Sequence, residues 1–415
     1  MDEFDLGEEL LNLELPPNSV KHSFNPVTLW ENLGLTLTGN NKPHPNMDNV
    51  VRILERYEQF KDLLWYDIFH GKFFTRWQSD TVREWYDNDC LILTKYIQEH
   101  IELHVITDSV VEKACRLYGN KQAKNEPQEW MESLKWDGVE RLPNFMPDAL
   151  GAQEDNYIRA VSQNFWIAMV ARVYKPGCKY DNMIVLEGRQ GAFKSTALKV
   201  IGGKWFTEIN ESVQNKDFYI GLQGKLLIEI AELDAFSKAE TSRIKQVISN
   251  PSDRYRAPYD RVAQDKPRTC IFVGTTNEGQ YLKDNTGGRR FWPVKVGQIR
   301  LDIITNNREQ YFAEAVAKYK QGVPWWAVPE QAIEEQEMRR QGDEWETIIA
   351  QYVQGYDEIT ITDVLTGALK IEPAMQGKPE QMRASHALRM AHWERTRGRK
   401  NGVQAAIWKA PKEEL

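Results

Sequence analysis

Cysteine is scarce and scattered. The four in 415 residues are Cys90, Cys115, Cys178 and Cys270. None is in CxxC spacing, which excludes a zinc framework and suits reduced thiols better than a disulfide-stapled fold. Long apolar runs are absent too. No uninterrupted stretch approaches the ~20 residues that a spanning helix requires, so no membrane partner is expected. The opening MDEFDLGEELLNLEL lacks the basic n-region of an export signal, and the expected location is cytoplasmic. Basic residues are missing from positions 1–20, which hold six acids (Asp2, Glu3, Asp5, Glu8, Glu9 and Glu14) and so account for most of the net charge of −7. Neither an internal repeat nor a low-complexity tract is found.

What is present divides into four parts. Residues 1–23 are expected to form an acidic flexible arm ended by Pro16-Pro17. Residues 24–145 carry helical patterns, NVVRILERYEQF and DSVVEKACRLYG, around the strand-like LLWYDIFHGKFFT, and read as an α-rich N-terminal domain. Asp87-Asn88-Asp89 is expected to cap the helix LILTKYIQEH. Residues 146–325 read as a P-loop nucleotide-binding core. Residues 326–415 begin with a charged helix and end with a small helical segment, a polar turn GRKNG and a strand over Val403–Trp408. The fold class expected is therefore α/β.

The chemistry starts at MIVLEGRQGAFKST, residues 183–196. An apolar strand runs into a glycine-containing loop, and Lys194-Ser195 opens the helix-like ALKVIGG. A triphosphate needs that order. Backbone N–H groups of Gly188, Arg189, Gln190, Gly191, Ala192, Phe193, Lys194, Ser195 and Thr196 cradle the phosphates. The Lys194 ammonium offsets their charge and the Ser195 hydroxyl ligates Mg²⁺. ATP and Mg²⁺ are the expected cofactors. The match to G-x-x-x-x-G-K-[ST] is imperfect, because Phe193 stands where the second glycine belongs. A Phe does not easily take φ > 0, so the loop is expected to turn differently or to hold Phe193 in a helical conformation.

Three further segments follow in order. KLLIEIAELDAF is an apolar strand ending in acids, the arrangement that carries a carboxylate to Mg²⁺ and the attacking water. Glu232 is the first choice and Glu229 the second. CIFVGTTN is another apolar strand, ending on Asn277, which fits an amide beside the γ-phosphate. DNTGGRRFWPV raises Arg289 and Arg290 from a Gly-rich turn, and arginine stabilises charge on a transferring phosphoryl group. Between the first two lies SDRYRAPYDRVAQDKPRT, an expected hairpin. It interleaves Arg254, Arg256, Arg261, Lys266 and Arg268 with Tyr255 and Tyr259, a pattern suited to a single nucleic-acid strand, though a solvated hairpin reads the same way.

Residues 376–412 hold nine Lys or Arg against two Glu. ASHALRMAHWERTRGRKNGVQAAIWKA reads as a helix, a basic turn and a strand. This resembles a winged-helix module, with Arg395, Arg397, Arg399 and Lys400 at a helix end and wing, in reach of DNA phosphates.

Together WDGVERL, the P-loop segment, GKLLIEIAELDAFSKAETSRIKQVIS, YRAPYDR and GTTNEGQYLKDNTGGRRFWPV make the chain resemble the virulence-associated E family of phage and mobile-element proteins. That family is similar to superfamily III helicases, whose ATPase is of the AAA+ type. The resemblance covers roughly residues 45–300. It implies a hexameric ring that hydrolyses ATP at subunit interfaces and moves along DNA during replication in a bacterial host cell. By position, Lys194 and Ser195 are the Walker A pair, Glu232 with Glu229 the Walker B acids, Asn277 the sensor, and Arg289 and Arg290 the trans-acting arginines. The 252–269 segment falls where that superfamily has its pore hairpin. Many relatives carry a primase or polymerase module ahead of the ATPase. None is recognised here, so a separate primase or polymerase is an expected partner. Two rivals remain: a replication initiator or loader that uses ATP as an assembly switch, and a DNA-binding protein that has lost catalysis.

Overall fold

Apolar side chains at helical and strand spacing organise the first part of the chain, as a computed structural model shows. It describes residues 26–209, 215–256, 262–279, 281, 290–327, 329, 331–339, 344–400 and 403–411, while a few side chains within these spans, 397–400 among them, lie outside the description. The expected acidic arm also lies outside the described residues. The N-terminal elements are α1 (Pro26–Leu33), α2 (Met47–Arg56), β1 (Leu64–Asp67), β2 (Lys72–Thr75), β3 (Arg83–Glu84), α3 (Asp87–His100), α4 (Asp108–Lys121) and α5 (Glu126–Ser133). Asn46 caps α2 by accepting from the Asn49 N–H at 2.9 Å. Asp89 accepts from the Tyr86 N–H and takes a two-pronged ion pair from Arg83, both arms at 2.8 Å, so the DND run does start a helix. Val50, Ile53, Phe60, Leu93, Ile97 and Val111 meet in one apolar cluster drawn from this segment alone.

The central elements are α6 (Phe145–Leu150), α7 (Asn156–Tyr174), β4 (Met183–Glu187), α8 (Lys194–Gly202), β5 (Phe206–Glu208), α9 (Lys216–Gly221), β6 (Leu227–Ile230), α10 (Lys238–Ser249), β7 (Ser252–Tyr255), β8 (Gln264–Pro267), β9 (Ile271–Thr276), β10 (Phe291–Lys295) and α11 (Leu301–Lys320). Five strands form one sheet in the order β10-β4-β9-β6-β5, and every pairing is parallel. Strands β4, β6 and β9 are buried at every residue, which is why they read as unbroken apolar runs without alternation. On one sheet face Ile184, Leu186, Leu227, Ile271 and Val273 pack with Val170, Leu198 and Phe312 from α7, α8 and α11.

The WDGVERL turn is clamped onto α11. Glu314 Oε2 accepts the Arg141 and Leu142 N–H groups at 2.6 and 3.1 Å. Gln310 Oε1 accepts the Asp137 N–H at 3.0 Å, and Lys318 Nζ reaches Glu140 Oε1 at 2.7 Å. Burial pushes the Glu314 carboxyl above the usual carboxylate range, against the pull of those two N–H donors.

The described residues up to Gly279, together with 290–336, form one compact unit, and those from 337 onward belong to a second. After α12 (Ala332–Met338) come α13 (Glu344–Tyr352), β11 (Glu358–Thr360), α14 (Ile361–Gly367), α15 (Lys378–Met390), β12 (Glu394–Lys400) and β13 (Val403–Lys409). The small sheet runs β11-β13-β12, antiparallel throughout, over a core of Ile349, Val364, Leu388 and Trp408. The basic run expected at a helix end and wing lies on strand β12. Its register against β13 is continuous from Glu394 to Lys400, so Gly398 does not break it.

Candidate functional site

Strand β4 ends at Glu187, and the chain turns through residues 188–193 into α8, which starts at Lys194. Two loop residues are left-handed: Gly191 at φ 79° and Phe193 at φ 61°, ψ 25°. The expectation for Phe193 is thus corrected. It adopts the conformation a glycine would take at a cost of about 1–2 kcal/mol, and its ring is 60% exposed, so little apolar burial offsets the strain. The loop geometry is retained because α8 and β4 fix both of its ends.

Lys194 folds back along the loop. Its Nζ donates to Gly188 O at 2.6 Å, Arg189 O at 3.1 Å and Asn277 Oδ1 at 3.1 Å. Ser195 Oγ donates to Glu229 Oε1 at 2.7 Å, and Thr275 Oγ1 donates to the same oxygen at 2.8 Å. Glu229 is fully buried, and its Oε2 has no hydrogen-bond partner among the described residues. Burial pushes this carboxyl above the usual carboxylate range, while the Ser195 and Thr275 hydroxyls pull it down. These groups meet because β9 lies between β4 and β6. Loop, amide and acid therefore share the carboxyl edge of adjacent parallel strands, where open α/β sheets bind ligands.

The acid that meets Ser195 is not the first choice of the two. Strand β6 stops at Ile230, and Glu232 lies beyond it, exposed and left-handed at φ 52°. Glu229, the second choice, is the one that meets Ser195. Of the remaining loop residues, Arg189, Gln190 and Thr196 are exposed and Ala192 is half-buried.

Arg290 is half-buried, and its Nε donates to Ser249 Oγ at 2.6 Å. It directly precedes β10, whose Phe291 pairs with Met183 at the start of β4 and whose Lys295 pairs with Glu187 at the end. Arg290 thus sits at the opposite end of the strands from the loop, six residues or roughly 20 Å away at about 3.3 Å per residue. Arg289 lies outside the described residues.

The expected hairpin exists as the antiparallel pair β7 and β8. Arg254 is exposed and pairs with Asp265 at 3.2 Å, Arg256 is exposed, and Lys266 is half-buried. Arg261 lies outside the described residues. Arg268 is not a surface contact. It is 3% exposed, donates to Val247 O, and makes a two-pronged pair with Asp253, itself 5% exposed. Sequence spacing does not reveal such pairing. In the second unit Arg395 is exposed on β12, and the side chains of Arg397, Arg399 and Lys400 lie outside the description. Thr275 was missed by the sequence reading. Its signal was a hydroxyl at the end of an otherwise apolar strand, IFVGTTN.

Among curated proteins no match to this chain is found. Solved structures of the apo NrS-1 C-terminal region are similar at 12% identity. One has a TM-score of 0.46 and covers 84% of this chain and 96% of that one. Its A form has a TM-score of 0.47, with 89% and 100% covered. The profile of the virulence-associated protein E-like domain matches residues 131–344, just over half of the chain. That span contains the 188–193 loop, the buried Glu229, strand β9 and the basic hairpin, and the chain belongs to the virulence-associated protein E-like family.

Proposed function

We propose that this protein is an ATP hydrolase acting on single-stranded DNA, a replicative helicase or translocase of a phage or mobile element that works as a homo-oligomeric, hexameric ring. The observation that carries the reading is the convergence of Lys194 with Asn277, and of Ser195 with Glu229, at the carboxyl edge of three adjacent parallel strands. A strand inserted between the loop strand and the acid strand supports an AAA+ type of core.

The residues fit a magnesium nucleotide. Glu229 Oε2 is a buried acceptor without a donor among the described residues, and Ser195 Oγ gives its proton to Oε1, so its lone pairs are available to a cation. Ser195 and Glu229 would hold the ion, which when bound withdraws charge from the transferring phosphoryl group. The N–H groups at the start of α8 receive phosphate oxygens and Lys194 neutralises them. Asn277 orients the attacking water. Glu232, exposed beyond β6, is the acid left to polarise that water. Arg290 is too far along the sheet to serve its own loop, so its phosphoryl contact, like that of Arg289, is made in a neighbouring copy.

For DNA, Arg254, Arg256, Arg261 and Lys266 of the 252–269 segment track a strand backbone. The helix, strand, two helices and hairpin of the second unit support a winged-helix reading, in which Arg395, Arg397, Arg399 and Lys400 meet phosphates. The test is Mg²⁺-dependent ATP hydrolysis with and without single-stranded DNA. Wild type should be stimulated and Lys194→Ala inactive, and equal rates in the two would refute the proposal. A second reading, an initiator or loader that uses ATP as a switch, is favoured by strained Phe193 in the loop. Hydrolysis without displacement of a forked duplex would select it.

A further inference from the structure

We propose that Thr275 is a positioning residue for the magnesium end of this site, holding Glu229 so that Ser195 keeps its lone pairs turned toward the metal. The inference rests on the nucleotide reading above. Strand register is its starting point. Glu229 on β6 pairs with Val273 on β9, and Thr275 is the next β9 residue on that side. The neighbours on this sheet face, Leu227, Ile271, Val273, Ile184 and Leu186, are all apolar core residues. Glu229 and Thr275 are the polar ends of two apolar stripes, and both face the α8 end of the sheet.

A carboxylate only accepts, so the Thr275 hydroxyl must donate to it. Thr275 is 5% exposed and Glu229 is fully buried, so no solvent competes for the contact. Both donors converge on Oε1, at 2.7 and 2.8 Å, and leave Oε2 without a donor among the described residues. An acid needed only for packing would be costly with one buried oxygen unpartnered. Two hydroxyls on one oxygen fix the carboxylate plane, and that plane fixes the Ser195 proton. Two residues further on, just past the end of β9, Asn277 meets Lys194. The end of one strand and the residue that follows it therefore supply the partners of both the cation and the acid.

The test is Mn²⁺ titration of the full chain by electron paramagnetic resonance with a non-hydrolysable ATP analogue, Mn²⁺ standing in for Mg²⁺. Thr275→Val should weaken metal affinity about 10–100-fold, the usual loss on removing an outer partner of a metal ligand. Its metal-free nucleotide affinity should stay unchanged, its urea midpoint should fall only modestly as one buried hydrogen bond is lost, and Thr275→Ser should restore binding. Thr275→Ala replaces the valine variant if that does not fold. Wild-type affinity in the hydroxyl-less variants, or a serine variant as weak as valine, overturns the role of Thr275 alone. Wild type that binds no metal-dependent nucleotide overturns the underlying reading instead.

Discussion

Replacing Arg268 separates a structural arginine from a DNA-binding one. Its guanidinium and the Asp253 carboxylate are 3% and 5% exposed and joined by two arms, with a further donation to Val247 O. Removing one member of such a buried pair leaves an uncompensated charge and costs about 3–5 kcal/mol. Arg268→Met and Asp253→Leu should each lose that much in urea denaturation. The double variant should lose markedly less than the sum, because no charge is then stranded. DNA affinity gives the second axis. Log affinity for a single strand falls with log salt by about 0.7 per phosphate contact. Arg268→Met should leave that slope unchanged, whereas Arg254→Ala, on an exposed strand position, should reduce it by roughly that amount. A stability loss under about 1 kcal/mol for Arg268→Met would fall short of the cost of stranding a buried charge and refute the structural role. So would a slope that falls with it.

Three other expectations follow from the same geometry. Burial alone would raise the Asp67 carboxyl, but the His70 ring and the His70 and Glu126 N–H groups hold it below the usual carboxylate range. A depressed acid stabilises the fold above its unfolded value near ~3.9 and loses that contribution as pH falls through its folded value. Asp67→Asn should therefore be about 1–3 kcal/mol less stable at neutral pH, with the gap closing in acid urea melts; a constant gap would contradict this. For Phe193→Gly, relief of left-handed strain (about 1–2 kcal/mol) is partly offset by the freedom that glycine adds to the unfolded chain (about 0.4–1 kcal/mol). Its urea stability should match or slightly exceed wild type, and a clear loss would show that the ring packs on something. Equal mixing of inactive Lys194→Ala and Arg290→Ala proteins should regain ATP hydrolysis, since each supplies what the other lacks. No recovery would place Arg290 outside the reaction.

Much of the core was legible because its chemistry is local. Strands β4, β6 and β9 are buried on both faces and so read as apolar runs, and Lys194-Ser195 follows its strand directly. The choice between Glu229 and Glu232 was not legible, since it depends on where β6 stops and on the left-handed backbone at Glu232. Thr275 was hidden by its own propensity: a β-branched residue in a strand needs no further reason. Arg268 looked like its basic neighbours because its partner lies fifteen positions away across a hairpin. The last residues of strand β12, Gly398–Lys400, read as part of a turn because their glycine and charges resemble loop composition.

The clamp of the 136–142 turn on α11 has a consequence for biosynthesis. The apolar partners of the first cluster all lie within residues 29–118, so it can pack soon after leaving the ribosome. The Arg141 and Leu142 amides must wait for Glu314, 173 residues later than the first of them. At about 5–20 residues per second that is on the order of ten to thirty seconds. Over that interval the half-made central sheet leaves its apolar faces uncovered, and a chaperone that shields nascent chains would matter most there.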